Sequence, residues 1–459
     1  MVSKHVIAAA SAAAFVLIGN ASQAQTNPPT IRQFDPPFYV FSPDPPHDLT
    51  ANTGAQGNQP YVDSMAWDAF IALNWPAPNP LTQRGVPDRQ NIIGGFYQPG
   101  EGGGKSSPAG PTVWETFKDT NDIYLDPPVK PTAFDVGESV PPACRSLAAA
   151  NPVAAHRTLV MKSKFDDVLR GTKQADGNRL VDQNGQDVWY EVKLNRVYYD
   201  YVVQNQFYDS RKQAGKTIAF PASSNVTAAP GTIKVKAAWK VMGPSGTKQP
   251  DDPTKFYTTQ ALVLDPDTGK CSQQMLGLVG LHIVMKTKTF PQWLWATFEH
   301  AANAPDQMAG PQPNMTYNFY SAACANCAVN TPPTKAQPQV PTQVMRVVPI
   351  DGLAATKNAL YQAAFKTLRP DNVWQNYMLV DAQWGAKTES PSIPNQPQFL
   401  ANTTLETYLQ APSGTNGCIN CHGAFAAKTD FDFQLTNAYP QKKGLLFDLF
   451  RVPGLASPH

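Results

Sequence analysis

Hydrophobic and polar positions change period several times along this chain, and each change predicts an element. From Asp63, the residues Met65, Phe70, Ile71 and Trp75 recur near helical spacing, Asp63 or Ser64 can cap the start, and Pro76 ends the run. This predicts a first core helix. Val113 to Phe117 reads as a short helix or strand with a buried Trp114. Tyr190, Leu194, Val197, Tyr198, Tyr201 and Val202 fit one helical face, a stripe of the kind that usually forms core. The period then drops to two. Thr232 to Met242 alternates with Ile233, Val235 and Ala237 on one side, and Phe256 to Leu264 and Met275 to Lys286 read as further strands. In Trp293 to His300, Trp293, Trp295 and Thr297 alternate against Leu294, Ala296 and Phe298. Four closely spaced strands predict an antiparallel sheet in the middle of the chain.

Residues 352 to 384 return to helical pattern, with Leu360, Ala363, Ala364 and Leu368 on one face. Asn402-Thr-Thr-Leu-Glu-Thr-Tyr-Leu reads as a short helix capped by Asn402 or Thr403. Phe431, Phe433, Leu445, Leu446, Phe447, Leu449 and Phe450 read as ordinary core that could also wall a flat ligand. Stretches rich in Pro, Gly and Asn separate these elements: 76–112, 120–150, 301–343 and Pro391–Pro397. The run Gly102-Gly103-Gly104 lacks the strand before and helix after it that a phosphate loop needs, so it reads as a surface turn. The predicted class is α+β: a large body with antiparallel strands and several helices over 61–395, and a short helical segment, 396–459, packed on it. Residues 25–60 read as an extended N-terminal arm.

Composition narrows the class of function. A formal net charge of +2 favours neither nucleic acid nor an anionic membrane. The 9 Trp and 16 Tyr argue for packed structure, and the 44 Pro for rigid loops. Residues 1–24 read as a secretory signal peptide: Lys4, an apolar run from Val6 to Ile18, and the small-x-small site Ser22-Gln23-Ala24. No cysteine follows that site, and no later stretch is apolar for long enough to insert stably in a membrane. The expectation is a periplasmic or secreted protein whose mature chain starts at Gln25, with 435 residues (459 less 24).

The candidate chemistry lies at Cys418-Ile419-Asn420-Cys421-His422, a C-x-x-C-H sequence. Two thiols at this spacing can each add across one vinyl group of a single porphyrin, and the adjacent histidine then supplies the proximal nitrogen to iron. Of the 6 cysteines, Cys144, Cys271, Cys324 and Cys327 remain. In an oxidising compartment they suggest two disulfides, Cys144–Cys271 and Cys324–Cys327 being the favoured pairing. Cys324-Ala-Asn-Cys327 is followed by Ala328 where a haem-ligating histidine would stand.

The second axial position is open on sequence grounds. Only 37 residues follow His422 (459 less 422), none of them methionine, and His459 is the sole later histidine. Three possibilities follow: the ligand comes from upstream, where His282, His300, Met308, Met315 and Met378 are candidates, water occupies the position, or it is open. His282 lies inside a predicted strand, where a histidine is usually a hydrogen-bonded core residue. Glu299, His300, Asn303 and Asp306 could form a polar cluster, although alternation points Glu299 and His300 to opposite faces.

The C-x-x-C-H motif makes the chain resemble a c-type cytochrome. Beyond it, Gly280-Leu-His-Ile-Val-Met-Lys-Thr, Trp295-Ala-Thr-Phe-Glu-His-Ala-Ala-Asn-Ala-Pro and Asn402-Thr-Thr-Leu-Glu-Thr-Tyr-Leu-Gln resemble stretches of an uncharacterised family of secreted, single-haem bacterial cytochrome c-like proteins. The resemblance runs over most of the mature chain and implies export and one covalent haem c on Cys418, Cys421 and His422. Class I cytochromes carry the motif near the start of their domain and a methionine later, which this chain does not. Cytochromes of the c-prime type carry it late but are four-helix bundles, unlike a chain with strands in its middle. Two functions follow. One is single-electron transfer with a redox partner protein. The other is a haem enzyme of peroxidase or oxygenase type, with an open iron and His300 or Glu299 as distal acid–base group. A gas sensor or a structural haem is a third.

Overall fold

The computed structural model describes residues 41–49 and 59–440, apart from 79–82, 92, 94–96, 100–105, 109–110, 153–157, 161–173, 175–176, 225–229, 266–267, 325, 335–338, 386–395 and 413–416. The 1–24 segment, Gly102–Gly104, Leu445 to Phe450 and His459 lie outside the described residues. The chain is an α+β protein. Ten strands are described: β1 (Tyr97–Pro99), β2 (Ser106–Pro108), β3 (Lys118–Asp119), β4 (Thr158–Val160), β5 (Trp189–Leu194), β6 (Ile233–Val241), β7 (Thr258–Leu264), β8 (Cys271–Met285), β9 (Leu294–His300) and β10 (Tyr377–Gln383). The first two pair as a hairpin, and the other eight form one sheet in the order β10-β9-β8-β6-β5-β3. β7 pairs with the first half of β8, and β4 lies parallel to β7, the one parallel pair described in a sheet otherwise antiparallel.

The helices of nine residues or more among the described residues are α1 (Gln59–Leu73), α2 (Arg196–Gln204), α3 (Gly352–Leu368) and α4 (Cys418–Ala426). No described helix is long and apolar enough to cross a membrane.

Strand alternation gives the sheet two unlike faces. On β9, Phe298 points toward α1, with its ring 5.0 Å from Trp67 and 4.5 Å from Phe70. α3 backs this layer, since Tyr361 stacks on Trp67 at 4.9 Å. Each such large side chain contributes about 1.5–3 kcal/mol on burial, so this aromatic layer is the main anchor of α1 and α3. Residues Trp295, Thr297 and Glu299 point the other way, where the chain from Asn402 to Pro440 covers them. Ile419, Leu435 and Ala438 of that chain belong to the same buried core as Trp67 and Phe298. Of the N-terminal arm, residues 41–49 lie against the body, with Phe41 stacked on Phe365 at 5.2 Å.

Four expected elements differ from the structure. The run from Tyr190 to Val202 is a strand and then a helix: Asn195 ends β5 and caps α2, its side chain accepting from Tyr198 N at 3.0 Å. The stretch 352–384 also divides, because α3 stops at Leu368 ahead of Pro370 and β10 follows. Asp63 and Ser64 sit inside α1 rather than capping it. Asp63 shares the Gln59 amide with Asp381, at 2.8 Å to each, and burial pushes its carboxyl up to about 7. Asn402 to Leu409 forms turns, not a helix. Asn402 spends its amide hydrogens across the sheet, on Thr297 Oγ1 (2.8 Å) and Phe298 O (2.9 Å), which pins the segment flat.

The body carries two disulfides. Cys144–Cys271 joins the residue preceding a short helix (Arg145–Ala150) to the start of β8, and Cys324–Cys327 closes a turn.

Candidate functional site

Helix α4 starts at Cys418, with Gly417 before it. Its position is set by the end of β10. Gln383, fully buried, accepts from Ile419 N at 2.7 Å and donates to Pro397 O at 2.6 Å. A spacing of three places Cys418 and Cys421 on one helix face, and His422 follows on the adjoining flank. Neither cysteine is in a disulfide. Burial, with the Glu406 charge adding to it, pushes both thiols up, Cys421 to about 11. A redox dithiol of the thioredoxin kind needs the opposite shift.

The His422 ring lies 4.2 Å from the Trp295 ring and 4.5 Å from that of Phe433. Its Nδ1 is 2.8 Å from Phe431 O, so Nδ1–H donates and the lone pair is on Nε2. Burial and the Lys234 charge hold this imidazole neutral, well below the usual histidine range, against the pull of the Phe431 carbonyl. A neutral imidazole oriented through its other nitrogen is the form that binds iron.

The carbonyl that orients His422 comes from a strained turn. Asp430 (φ 55°) and Phe431 (φ 63°) are consecutive non-glycine residues in the left-handed region. Each costs on the order of 1–3 kcal/mol and persists only where its surroundings fix it. Here three contacts do so. Lys286 pairs with the Asp430 carboxylate, which also accepts from Phe220 N at 2.8 Å, and Trp293 Nε1 donates to Asp430 O at 2.8 Å. Next to the turn, Asp432 accepts from Lys234 at 2.8 Å and from Tyr198 OH at 2.5 Å. Lys234 in turn lies 4.5 Å above the Trp293 ring.

The other residues singled out from sequence fall in three places. His282 is on β8, across from Lys236 and Thr297 in the register, on the same sheet face as Trp295. Its Nε2 is 2.8 Å from Glu406 Oε1. Burial raises the Glu406 carboxyl, but the charge and hydrogen bond of His282 more than offset this and leave it depressed.

His300 faces away, as alternation requires. It stacks on Phe256 at 4.2 Å, Nε2 donates to Lys255 O at 3.0 Å, and Nδ1 accepts from Ala302 N at 3.1 Å. Burial pushes it down to about 4. Both of its ring nitrogens are used, and it is a core histidine rather than a distal group.

Glu299 is fully buried, ion-paired with Arg346 at 2.9 Å and hydrogen-bonded by the Thr403 hydroxyl. The expected polar cluster reduces to Glu299 and Asn303, since Asp306 turns away to cap Met308 N and Ala309 N. Met308 and Met315 are exposed on turns, and Met378 lies across from Glu299, four residues along β9 from Trp295.

Removing Glu299 strands a buried guanidinium, which typically costs about 3–5 kcal/mol. We expect Glu299→Ala to lower the urea-unfolding free energy by that order.

Trp295, Gln383 and Glu406 were not picked out as site residues from the sequence, and Phe431 was read as core that could also wall a flat ligand. Only the Trp293-x-Trp295 spacing at the start of β9 carried a signal, because the contacts of Gln383 and Glu406 depend on how strands and turns are brought together.

Among the described residues, no cluster of three or more His, Cys, Asp or Glu is arranged to hold a bare metal ion. The donors that are present suit a porphyrin, which brings its own equatorial nitrogens. They are two unpaired thiols on one helix face, one neutral imidazole and aromatic walls. No protein-family model matches the chain, no curated protein is similar to it, and no solved structure matches its fold.

Proposed function

We propose that this chain is an exported c-type cytochrome carrying one covalent haem c and passing single electrons to and from a redox partner protein. Cys418 and Cys421 hold the porphyrin through thioethers, and His422 Nε2 binds the iron. The observation that carries this reading is the His422 environment. Its Nδ1 is tied to Phe431 O by a turn that is itself strained, and this leaves Nε2 as the metal-binding nitrogen. When bound, the haem supplies one-electron exchange at iron. The chain's own residues orient the imidazole and wall it with Trp295 and Phe433. Two disulfides in the body suit an oxidising compartment, where haem c is attached in bacteria. The alternative, a peroxidase- or oxygenase-type enzyme, loses its two named distal groups, since His300 and Glu299 are committed to core contacts.

The test is expression with export in a strain that matures c-type haem. Expected are one haem per chain retained after denaturation and a reversible titration that fits one electron. Protein free of covalent haem, with Cys418 and Cys421 joined as a disulfide by mass, would overturn the reading.

A further inference from the structure

We propose that His282, held by Glu406, is the second axial ligand of the iron, so that the site is six-coordinate with two histidines. The inference rests on the haem reading above and deepens it.

The argument begins with position. In the β8–β9 register His282 lies opposite Thr297, two residues from Trp295 on the same face. Side chains in that diagonal relation stand about 7–8 Å apart. Trp295 is the residue whose ring touches His422. His282 therefore belongs to the sheet surface over which α4 is docked. The same alternation takes His300 to the far face. Met308 and Met315 are on exposed turns, and Met378 is displaced by four residues along the strand.

The second consideration is how His282 is held. A ligating imidazole almost always gives its other ring nitrogen to a carboxylate or carbonyl, which fixes the ring and raises its basicity. His422 has this arrangement with Phe431 O, and His282 has it with Glu406 at 2.8 Å. Nδ1 is the ring nitrogen of His282 left for the iron. Glu406 is not a loose surface carboxylate: its other oxygen accepts from Asn402 N at 3.1 Å, and Asn402 is bonded across β9. Each imidazole is thus anchored through one nitrogen to a braced acceptor, His422 through Nδ1 and His282 through Nε2. Glu406 is a positioning residue, acting through His282 and not on the iron.

Two strong imidazole ligands leave no coordination site for peroxide or oxygen, which favours electron transfer over catalysis. An anionic partner on His282 makes the ring a stronger donor and favours ferric iron.

The experiment is electron paramagnetic resonance and optical spectroscopy of the exported ferric holoprotein and four variants. Wild type should be low-spin with two nitrogen ligands. His282→Ala should become predominantly high-spin and return to low-spin on adding imidazole. His282→Met, which keeps the side-chain bulk, should show sulfur ligation, and His300→Ala should stay as wild type. Glu406→Gln should remain low-spin with a midpoint potential above wild type. Wild-type protein with covalent haem that is high-spin, or a His282→Ala spectrum identical to wild type, would overturn the inference while leaving haem attachment intact. Absence of covalent haem would instead overturn the attachment reading, and this inference with it.

Discussion

Chains in which both Cys418 and Cys421 are alanine should be exported and fold, yet keep no haem after denaturation, a drop from one haem per chain to essentially none. Each thioether is formed by adding one S–H across one vinyl group, so removing both thiols removes every covalent link while His422 remains. Folding should be little affected. The two residues belong to no disulfide, and alanine is the best helix former at positions inside α4. The matched control is Cys324→Ala with Cys327→Ala, which removes the other C-x-x-C pair and should leave haem at one per chain. Haem stain on a denaturing gel and intact mass separate the two outcomes. Equal haem retention in both double variants would remove the assignment of Cys418 and Cys421.

The second large effect is expected at Gly280. This glycine lies on β8 directly beneath the 402–406 turn, and a Cβ placed there would come 2.2 Å from Thr404 Oγ1 and 3.2 Å from Asn402 Oδ1. Thr404 is β-branched, fully buried and bonded to Asn402 Oδ1 at 2.8 Å, so its hydroxyl cannot swing aside without breaking that contact. Overpacking of this kind costs about 1–3 kcal/mol. Gly280→Ala should therefore lower the unfolding free energy by that amount. It should also lift the turn and part Glu406 from His282. Thr404→Ala opens the same space from the other side. The double variant should recover most of the loss, with a coupling of at least 0.5 kcal/mol, about the threshold for residues in contact. Additive losses in urea titrations would mean that the two residues do not meet.

The middle of the sheet was legible because β6 and β9 alternate, β7 and β8 are rich in apolar residues, and turn residues separate the four; β3, β4, β5 and β10 were not read as strands. The helix α1 was legible in type but not at its start, because Asp63 looks like a cap and is instead a buried carboxylate sharing Gln59 with Asp381. Two of the misreadings share a cause. Tyr190, Leu194, Tyr198 and Val202 match a period of four across a boundary, and Asn195, the true cap, sits in the middle of the match. Likewise Met378 to Gln383 continues the apolar content of α3, although Pro370 intervenes. At the candidate site, Cys418, Cys421 and His422 could be named from sequence because one five-residue segment carries all three. Glu406, Trp295 and Phe431 reach the site from a turn, a strand and a left-handed corner. Strand register and a positive φ at Asp430 and Phe431 bring them there, and neither leaves a local pattern in sequence.

Every described strand of the sheet precedes α4 in the chain, and α4 joins the core through Ile419, with Leu435 and Ala438 following. If the haem reading holds, a chain whose body has closed its strands while the Cys418–His422 segment is still undocked would present both thiols for haem attachment before that segment packs onto the Trp295 face.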